Sequence, residues 1–371
     1  METVCFLLII IGLAYLYVFL LYRKGWGMHV KNIDKKKKYF VSIVVACRNE
    51  QDNISNLIQQ IKNQDYNKNN YELILVDDHS NDETFKIFQE EEDRWDNLHI
   101  IQLQNGETGK KTAIRKAISI AKGDIILCTD ADCTVNPSWV ATVTSYFINK
   151  DIKMVSGPVI FEHKDGIFHK FQLLEFLSLI GSGAAAIQRN KGIICNGANL
   201  AYRKDTYLEM DSVYDNIVSG DDVFLMHQIK NKYPNGIVFA KQKNAIVETK
   251  SQEDITSLLN QRKRWASKSR FYKDSDIVSI SILVFVINSS ISILFLLSFL
   301  NIKWFILFSI FFLFKYLVDY IFLTPILKFF SKKNLVGWIL PFEIFYCFYI
   351  VLIAILSFNS SFEWKGRFYT K

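Results

Sequence analysis

The stretch Asp124-Ile125-Ile126-Leu127-Cys128-Thr129-Asp130-Ala131-Asp132 decides the fold. An apolar run of strand length stops at two carboxylates with one residue between them. The same texture recurs upstream. Residues 40–46 run into Cys47-Arg48-Asn49-Glu50, residues 72–76 run into Asp77-Asp78, and residues 99–103 form a further run. Short continuous apolar runs read as strands buried on both faces. Between them lie helical patterns with start signals: Ser80 with Glu83 as a capping box, Asp82 in the first turn, and Asn136 followed by Pro137. Strand–helix alternation predicts an α/β domain with a parallel sheet and helices on both faces. Ligands of such sheets bind beyond the carboxyl ends of the strands. Three polar strand ends therefore define one crevice.

Apolar segments bracket this domain. The chain has 371 residues, half of them hydrophobic, and includes 30 Phe. That length holds a sizeable core plus membrane segments. Residues 4–22 are long enough to span a bilayer and are followed by Arg23 and Lys24. With no basic start and no small-residue cleavage site, residues 1–24 read as an uncleaved anchor whose C-terminal end is cytoplasmic. Residues 277–300, 304–323 and 338–358 are three more runs of spanning length, grouped within 277–358 and followed by a basic tail at 359–371. Lys315 and Asp319 lie one helical turn apart in the middle run and read as a mutual ion pair. Residues 168–189 read as a helix of the core or of the membrane interface, and the interface is favoured because the domain must face the bilayer. Three full crossings would put Lys365, Arg367 and Lys371 outside, against the positive-inside rule. Either one run is re-entrant or the tail lies outside.

The net charge of +7 concentrates at membrane edges, at Lys35 to Lys38 and at Lys328, Lys332 and Lys333. That placement speaks for a membrane partner and against nucleic acid. Cys5, Cys47, Cys128, Cys133, Cys195 and Cys347 show no zinc-ligand spacing and read as free thiols in a reducing cytosol. Two glycine patterns mislead. Gly181-Ser182-Gly183 follows a helical pattern rather than a strand, and Gly106 stands too close to Gly109 for a phosphate loop.

Asp130 and Asp132 offer hard oxygen ligands of the kind Mg2+ or Mn2+ takes beside substrate phosphates. Alone, the same pair is ordinary turn chemistry. Asp77 and Asp78 offer one acceptor for a base or sugar and one that orients the loop. Arg48 and Asn49, at the end of the first strand between Ala46 and Glu50, face the same crevice. Lys110 opens a helix, where it suits a diphosphate or stands as a solvated lysine. Asp221 and Asp222 follow Gly220 at a helix start. One serves as general base toward an acceptor hydroxyl, while capping fits Asp221 better. Gln261, Arg264 and Trp265 share one helical face. Arg264 offers an anion grip and Trp265 a flat platform for a sugar ring. Arg262, Lys263, Lys268 and Arg270 surround them and read as an amphipathic membrane-surface helix.

Taken together, these motifs resemble the family 2 glycosyltransferases over residues 39–270. The resemblance implies a GT-A (Rossmann-like) fold, a nucleotide-diphosphate sugar as donor, and inversion at the anomeric carbon. It places Ala46, Arg48, Glu50, Asp77 and Asp78 on the nucleotide side, and Lys110 near the diphosphate. Asp130 and Asp132 become the DxD that holds diphosphate and Mg2+ or Mn2+. Asp222 becomes the general base, and Gln261, Arg264 and Trp265 the QxxRW. Gly197 and Asn199, in Asn196-Gly197-Ala198-Asn199, go with Asp221 to the acceptor side. His79 departs from the small residue usual there. The QxxRW and the apolar helices narrow the resemblance to the cellulose synthase, hyaluronan synthase and ceramide glucosyltransferase branch. Trp364-Lys365-Gly366-Arg367 resembles a tail of related bacterial enzymes. One N-terminal and about three C-terminal spans are too few for a wide pore. This favours transfer of a sugar from a UDP-sugar to a lipid or lipid-linked acceptor, at the cell membrane, by a cytoplasmic domain. The rivals are a processive polysaccharide synthase, a catalytically inactive scaffold and a transporter. An intact DxD and base carboxylate weigh against a scaffold. Short loops and a lone charge pair weigh against a transporter.

Overall fold

A computed structural model describes residues 2–28, 39–210, 221–358, 362–364 and 367–369. Gly220, the basic run 35–38 and the tail residues Lys365, Gly366 and Lys371 lie outside the described residues. Helix α1 (Glu2–Gly27) leads to β1 (Val41–Cys47), α2 (Ile54–Lys62), β2 (Tyr71–Asp77), α3 (Thr84–Glu92), β3 (Leu98–Gln102), α4 (Lys110–Ile120) and β4 (Ile125–Asp130). The four strands are parallel, in the order β3-β2-β1-β4. Val41, Ile43 and Val45 of β1 pack with Leu57 and Phe88 on one face of the sheet. Val44 packs with Ala113 and Ala117 on the other. Each fully buried aliphatic side chain contributes about 1.5–3 kcal/mol.

Beyond β4 the sheet is mixed, where the sequence predicted parallel pairing throughout. The chain continues through β5 (Thr134–Val135), α5 (Trp139–Thr144), β6 (Met154–Ser156), β7 (Val159–Phe161), α6 (Ile167–Ile187), β8 (Leu200–Arg203), α7 (Lys204–Leu208), α8 (Asp221–Lys232), β9 (Ile237–Phe239) and β10 (Val247–Thr249). β8 enters antiparallel between β4 and β6, and β9 completes a seven-stranded sheet. β5, β10 and β7 form a second sheet. These strands are too short to carry a periodic signal. The capping box at Ser80 and Glu83 does not form. α3 starts only at Thr84, and Ser80 Oγ instead accepts the N–H of Asn49 at 2.9 Å. Nor does Asn136 cap α5, which starts at Trp139 after Ser138; its side chain takes the N–H of Ser138 at 3.0 Å in the turn just ahead of the helix.

The rest of the chain is α9 (Ile255–Ser267), α10 (Ser275–Leu297), α11 (Ile302–Phe329), α12 (Ile339–Phe358) and a hairpin of β11 (Phe362–Trp364) with β12 (Arg367–Tyr369). α1, α6, α10, α11 and Lys333–Ser357 are long and apolar enough to cross a membrane. α6 lies between the sheet and the other apolar helices, packed on β7 and β9 and on α1 and α11. The approach is close. A Cβ at Gly25 would sit 2.3 Å from the Ala185 carbonyl oxygen, and one at Gly181 would sit 2.2 Å from Ile326 Cδ1. The glycines that resembled a nucleotide fingerprint are thus part of a helix-packing face. Lys241 secures the joint, donating to the Trp26 carbonyl and lying 4.4 Å over its ring.

Lys315 and Asp319 pair at 2.7 Å, as expected. Lys315 is fully buried and also meets Glu343 of α12, while Tyr15 of α1 donates to Asp319 at 2.6 Å. The hairpin strands have a neighbour as well. Phe171 of α6 meets Phe342 at 5.4 Å and Tyr349 at 5.3 Å, so α12 touches α6 there. α9 packs against both α12 and β11. The hairpin therefore returns to the α/β domain rather than leading away from it.

Candidate active site

β1 lies between β2 and β4, so the chain leaves it first to one side and later to the other. Such a switch point opens a crevice at the strand ends. The registers are level there: Cys47 pairs with Asp77 and Ala46 pairs with Asp130.

The loops after β1 and β2 are sewn together. Asn49, at φ 53°, accepts the N–H of Asn81 at 2.9 Å, and Arg48 Nη1 donates to the Asp78 carbonyl at 2.9 Å. The Glu50 N–H donates to Thr84 Oγ1 at 2.7 Å, and the Glu50 carboxylate receives Asn53 at 2.7 Å. Asp77 is wholly buried and closes its own turn, accepting the Ser80 N–H at 3.3 Å and Gln102 Nε2 at 3.4 Å. Asp77 is thus the member of the pair that orients the loop. Asp78 accepts the N–H of Gly109 at 2.9 Å. Gly109, at φ 93°, occupies backbone space natural to glycine and sets the start of α4.

Lys110, the first residue of α4, forms an ion pair with Asp130 across the crevice. It is therefore not a freely solvated lysine. Asp132 Oδ2 accepts Thr249 Oγ1 of β10 at 3.4 Å. Burial beside Asp130 and Asp132 pushes the Cys133 thiol far above its usual range, so it stays protonated. Asp130 and Asp132 give two carboxylates at one strand end. No group of three or more His, Cys, Asp or Glu side chains placed to hold a metal ion occurs among the described residues. Two carboxylates suit Mg2+ or Mn2+, which fills its remaining positions with phosphate oxygens and water.

Asp222 stands at the start of α8. It accepts the N–H of Gly197 at 3.0 Å and that of Val223 at 2.9 Å. A Cβ at Gly197 would lie 3.5 Å from Lys110 Nζ and 3.6 Å from Asp222 Oδ2. Lys110 and Asp222 therefore converge over the bare backbone of Gly197. Tyr272, which the sequence reading missed, packs on Phe224 at 5.5 Å, and burial followed by the Asp222 charge raises its hydroxyl pKa.

Asn199 corrects its assignment to the acceptor side. Its side chain is fully buried, donates to the Pro158 carbonyl at 2.9 Å and the Ala245 carbonyl at 2.7 Å, and accepts Trp139 Nε1 at 3.0 Å. A saturated amide without exposed surface braces the fold. Asp221 is the first residue of α8.

α9 carries Gln261, Arg264 and Trp265. A capping box of Asp254 and Ser257 starts this helix, with the Ser257 N–H on Asp254 at 2.8 Å. Arg262 is not one of the surface charges the sequence suggested. It is 4% exposed, grips Glu175 of α6 with two hydrogen bonds at 3.0 and 2.5 Å, and covers one face of Trp265 at 4.2 Å. It also donates to the Gln261 side-chain oxygen. Lys110, Asp130, Asp222 and Gly197 thus form one cluster, and Gln261, Arg262 and Trp265 another. Phe176 joins the two, lying 6.3 Å from Trp265 and stacking on Phe161 at 4.2 Å. Phe161 is the register partner of Thr249, which bonds Asp132.

Residues 42–209 match the family model described as Glycosyl transferase family 2. Glycosyltransferase AglE of Haloferax volcanii is 27% identical over 192 residues, which is 50% of this chain and 59% of that protein. Beta-monoglucosyldiacylglycerol synthase of Trichormus variabilis is 30% identical over 138 residues, 37% of this chain and 30% of that protein. The chain thus spans less than two thirds of the length of these relatives. Mannosyltransferase PcManGT from Pyrobaculum calidifontis, solved in complex with GDP-Man and Mn2+, superposes with a TM-score of 0.62 at 15% identity, covering 95% of this chain and 97% of that one. The fold is GT-A, with a mixed sheet and apolar helices toward both termini.

Proposed function

We propose that this protein, whose residues 42–209 match the family 2 glycosyltransferase model, moves a sugar from a nucleotide-diphosphate sugar, a UDP-sugar, to a lipid or lipid-linked acceptor at the membrane, inverting the anomeric centre. One observation carries the reading: Lys110 and Asp222 converge over Gly197 while Lys110 reaches Asp130. An ammonium for a leaving diphosphate and a carboxylate for an incoming hydroxyl then face one small volume.

Arg48 and Asp78 frame the nucleotide side, with Ala46 and Glu50 shaping its floor. Asp130 and Asp132 would hold Mg2+ or Mn2+, which supplies countercharge for the diphosphate. Lys110 and Arg264 bind the diphosphate oxygens and offset the negative charge that grows as the glycosidic bond breaks. Asp222 takes the proton of the acceptor hydroxyl as its oxygen attacks the anomeric carbon from the opposite face. Two backbone N–H groups hold that carboxylate in place. Trp265 supports the sugar or acceptor. Gly197 leaves room for the hydroxyl. The apolar helices anchor the enzyme as a multi-pass protein with its crevice in the cytoplasm, and α12 is the re-entrant run.

The test is turnover in detergent-solubilised membranes with a panel of UDP- and GDP-sugars and Mg2+ or Mn2+. Nucleotide diphosphate release that requires Asp222, with label in the lipid extract, supports the reading. Label in material too large to extract replaces it with a polysaccharide synthase. No release across the panel overturns it in favour of a scaffold.

A further inference from the structure

α6 is apolar on nearly every side, yet His169, Gln172 and Glu175 recur on it at three-residue intervals. All three meet the segment that leads into and forms α9. The His169 ring nitrogen Nδ1 lies 3.1 Å from Ser251 Oγ. The fully buried Gln172 bonds both the carbonyl and the N–H of Gln252, at 2.9 and 3.0 Å. Glu175 takes the forked grip of Arg262, and neither partner is exposed by more than 7%. The next residue of α6, Phe176, touches Trp265 and stacks on Phe161.

We infer that Glu175 and Arg262 are positioning residues for the transfer reaction: through their buried ion pair, α6 sets the angle and depth of the Gln261-Arg264-Trp265 face against the DxD crevice. The inference rests on the reading of that face as the donor and acceptor platform. Its physical basis is directional. A guanidinium held by two bonds to one carboxylate has a fixed plane. That plane lies on the Trp265 indole at 4.2 Å, so the indole inherits its orientation. The same guanidinium donates to the Gln261 side chain and fixes it too. Merely stabilising the fold would need none of this. A buried ion pair is commonly neutral in stability against apolar residues of similar volume.

The experiment uses the full chain in detergent and two variants, Arg262→Lys and the double variant Glu175→Leu/Arg262→Met. The double variant removes both charges together and leaves neither buried alone. Each is measured for thermal midpoint, for UDP or GDP affinity with Mn2+, and for kcat and KM with the sugar nucleotide that turns over. The expected result is a retained midpoint in the double variant with kcat/KM lowered about 100-fold, the scale of an ångström-sized misplacement. Arg262→Lys, which keeps the charge but loses the fork, should show the same loss. Wild-type kcat/KM in either folded variant overturns the inference. Should the double variant not fold, Arg262→Lys decides alone. Trp265→Ala and Arg264→Ala are run beside them. If these two keep full activity, the reading of the platform itself fails. If they lose activity while the Glu175 and Arg262 variants keep it, only the positioning role fails.

Discussion

Replacing Asn199 with alanine separates a brace from an acceptor contact. The amide makes three hydrogen bonds, to the Pro158 and Ala245 carbonyls and from Trp139 Nε1. Asn199→Ala leaves the Ala245 carbonyl and the Trp139 indole N–H without their partner in a region closed to solvent, while the Pro158 carbonyl keeps the Val247 N–H at 3.0 Å. Each orphaned group costs about 1–3 kcal/mol. A water that enters the vacated space recovers part of this, so the net loss is about 2–4 kcal/mol. In a domain of this size each kcal/mol lowers the midpoint by about 2–4 °C, so a fall of at least about 4 °C is expected. Asn199→Asp keeps the shape but turns both donors into acceptors facing carbonyls, and should be no better. The assay is thermal unfolding of detergent-purified protein, read beside nucleotide diphosphate release per folded molecule at a low temperature. Transfer per folded molecule should stay near wild type. A normal midpoint with transfer abolished would refute the bracing argument and return Asn199 to the acceptor site.

Asp222→Asn should lower transfer by about 10²–10⁴-fold while donor binding, measured by calorimetry, stays close to wild type; lost donor affinity instead would show that Asp222 is not the base. Asp132→Ala should abolish the Mn2+ dependence of nucleotide diphosphate binding, and an unchanged metal response in a titration would remove it from the ligand set. Lys315→Met strands Asp319 and Glu343 among apolar helices and should cost about 3–5 kcal/mol, seen as a lower midpoint and poor membrane yield, whereas an unaltered midpoint would mean the cluster does not tie α1, α11 and α12 together. In a background freed of native cysteines, Arg367→Cys should react with an impermeant maleimide from the same side of the membrane as a cysteine in the α/β domain; labelling from the opposite side would make α12 a full crossing.

The parallel half of the fold was legible because its strands are buried on both faces, which leaves unbroken apolar runs. All seven residues of β2 are buried, and the run is plain to read. β6, β7, β9 and β10 are three residues each and give no period, so the mixed half could not be read. Asp130 and Lys110 were legible because each stands where an element changes, but their direct pairing links residues 20 apart through the fold. Arg262 misled for a local reason. It sits inside a basic run on an amphipathic helix, and its partner Glu175 lies 87 residues away on another helix. Lys315 and Asp319 were found from their spacing, but Tyr15 and Glu343 come from distant helices. Asn199 failed differently, since a polar residue near a site reads the same from sequence whether it faces the ligand or the core.

The matched segment ends at residue 209, yet the proposed site does not. Asp222 comes from α8 and the Trp265 face from α9, both beyond that limit. α6 explains why the two parts and the apolar helices act as one body. A helix apolar all round must be covered on all sides. Leu174, Leu177 and Ala184 belong to a core shared by the sheet, α1 and α11, and Gly25 meets Ala185 too closely for a side chain to intervene. Its polar exceptions are taken up by residues 251–262. Removing α1 and α10 to α12 would therefore expose the apolar side of α6 to water. α6 would then shift or aggregate, and the Glu175 carboxylate that orients Arg262 would move with it. In this chain the long apolar helices are part of the frame that holds one wall of the crevice.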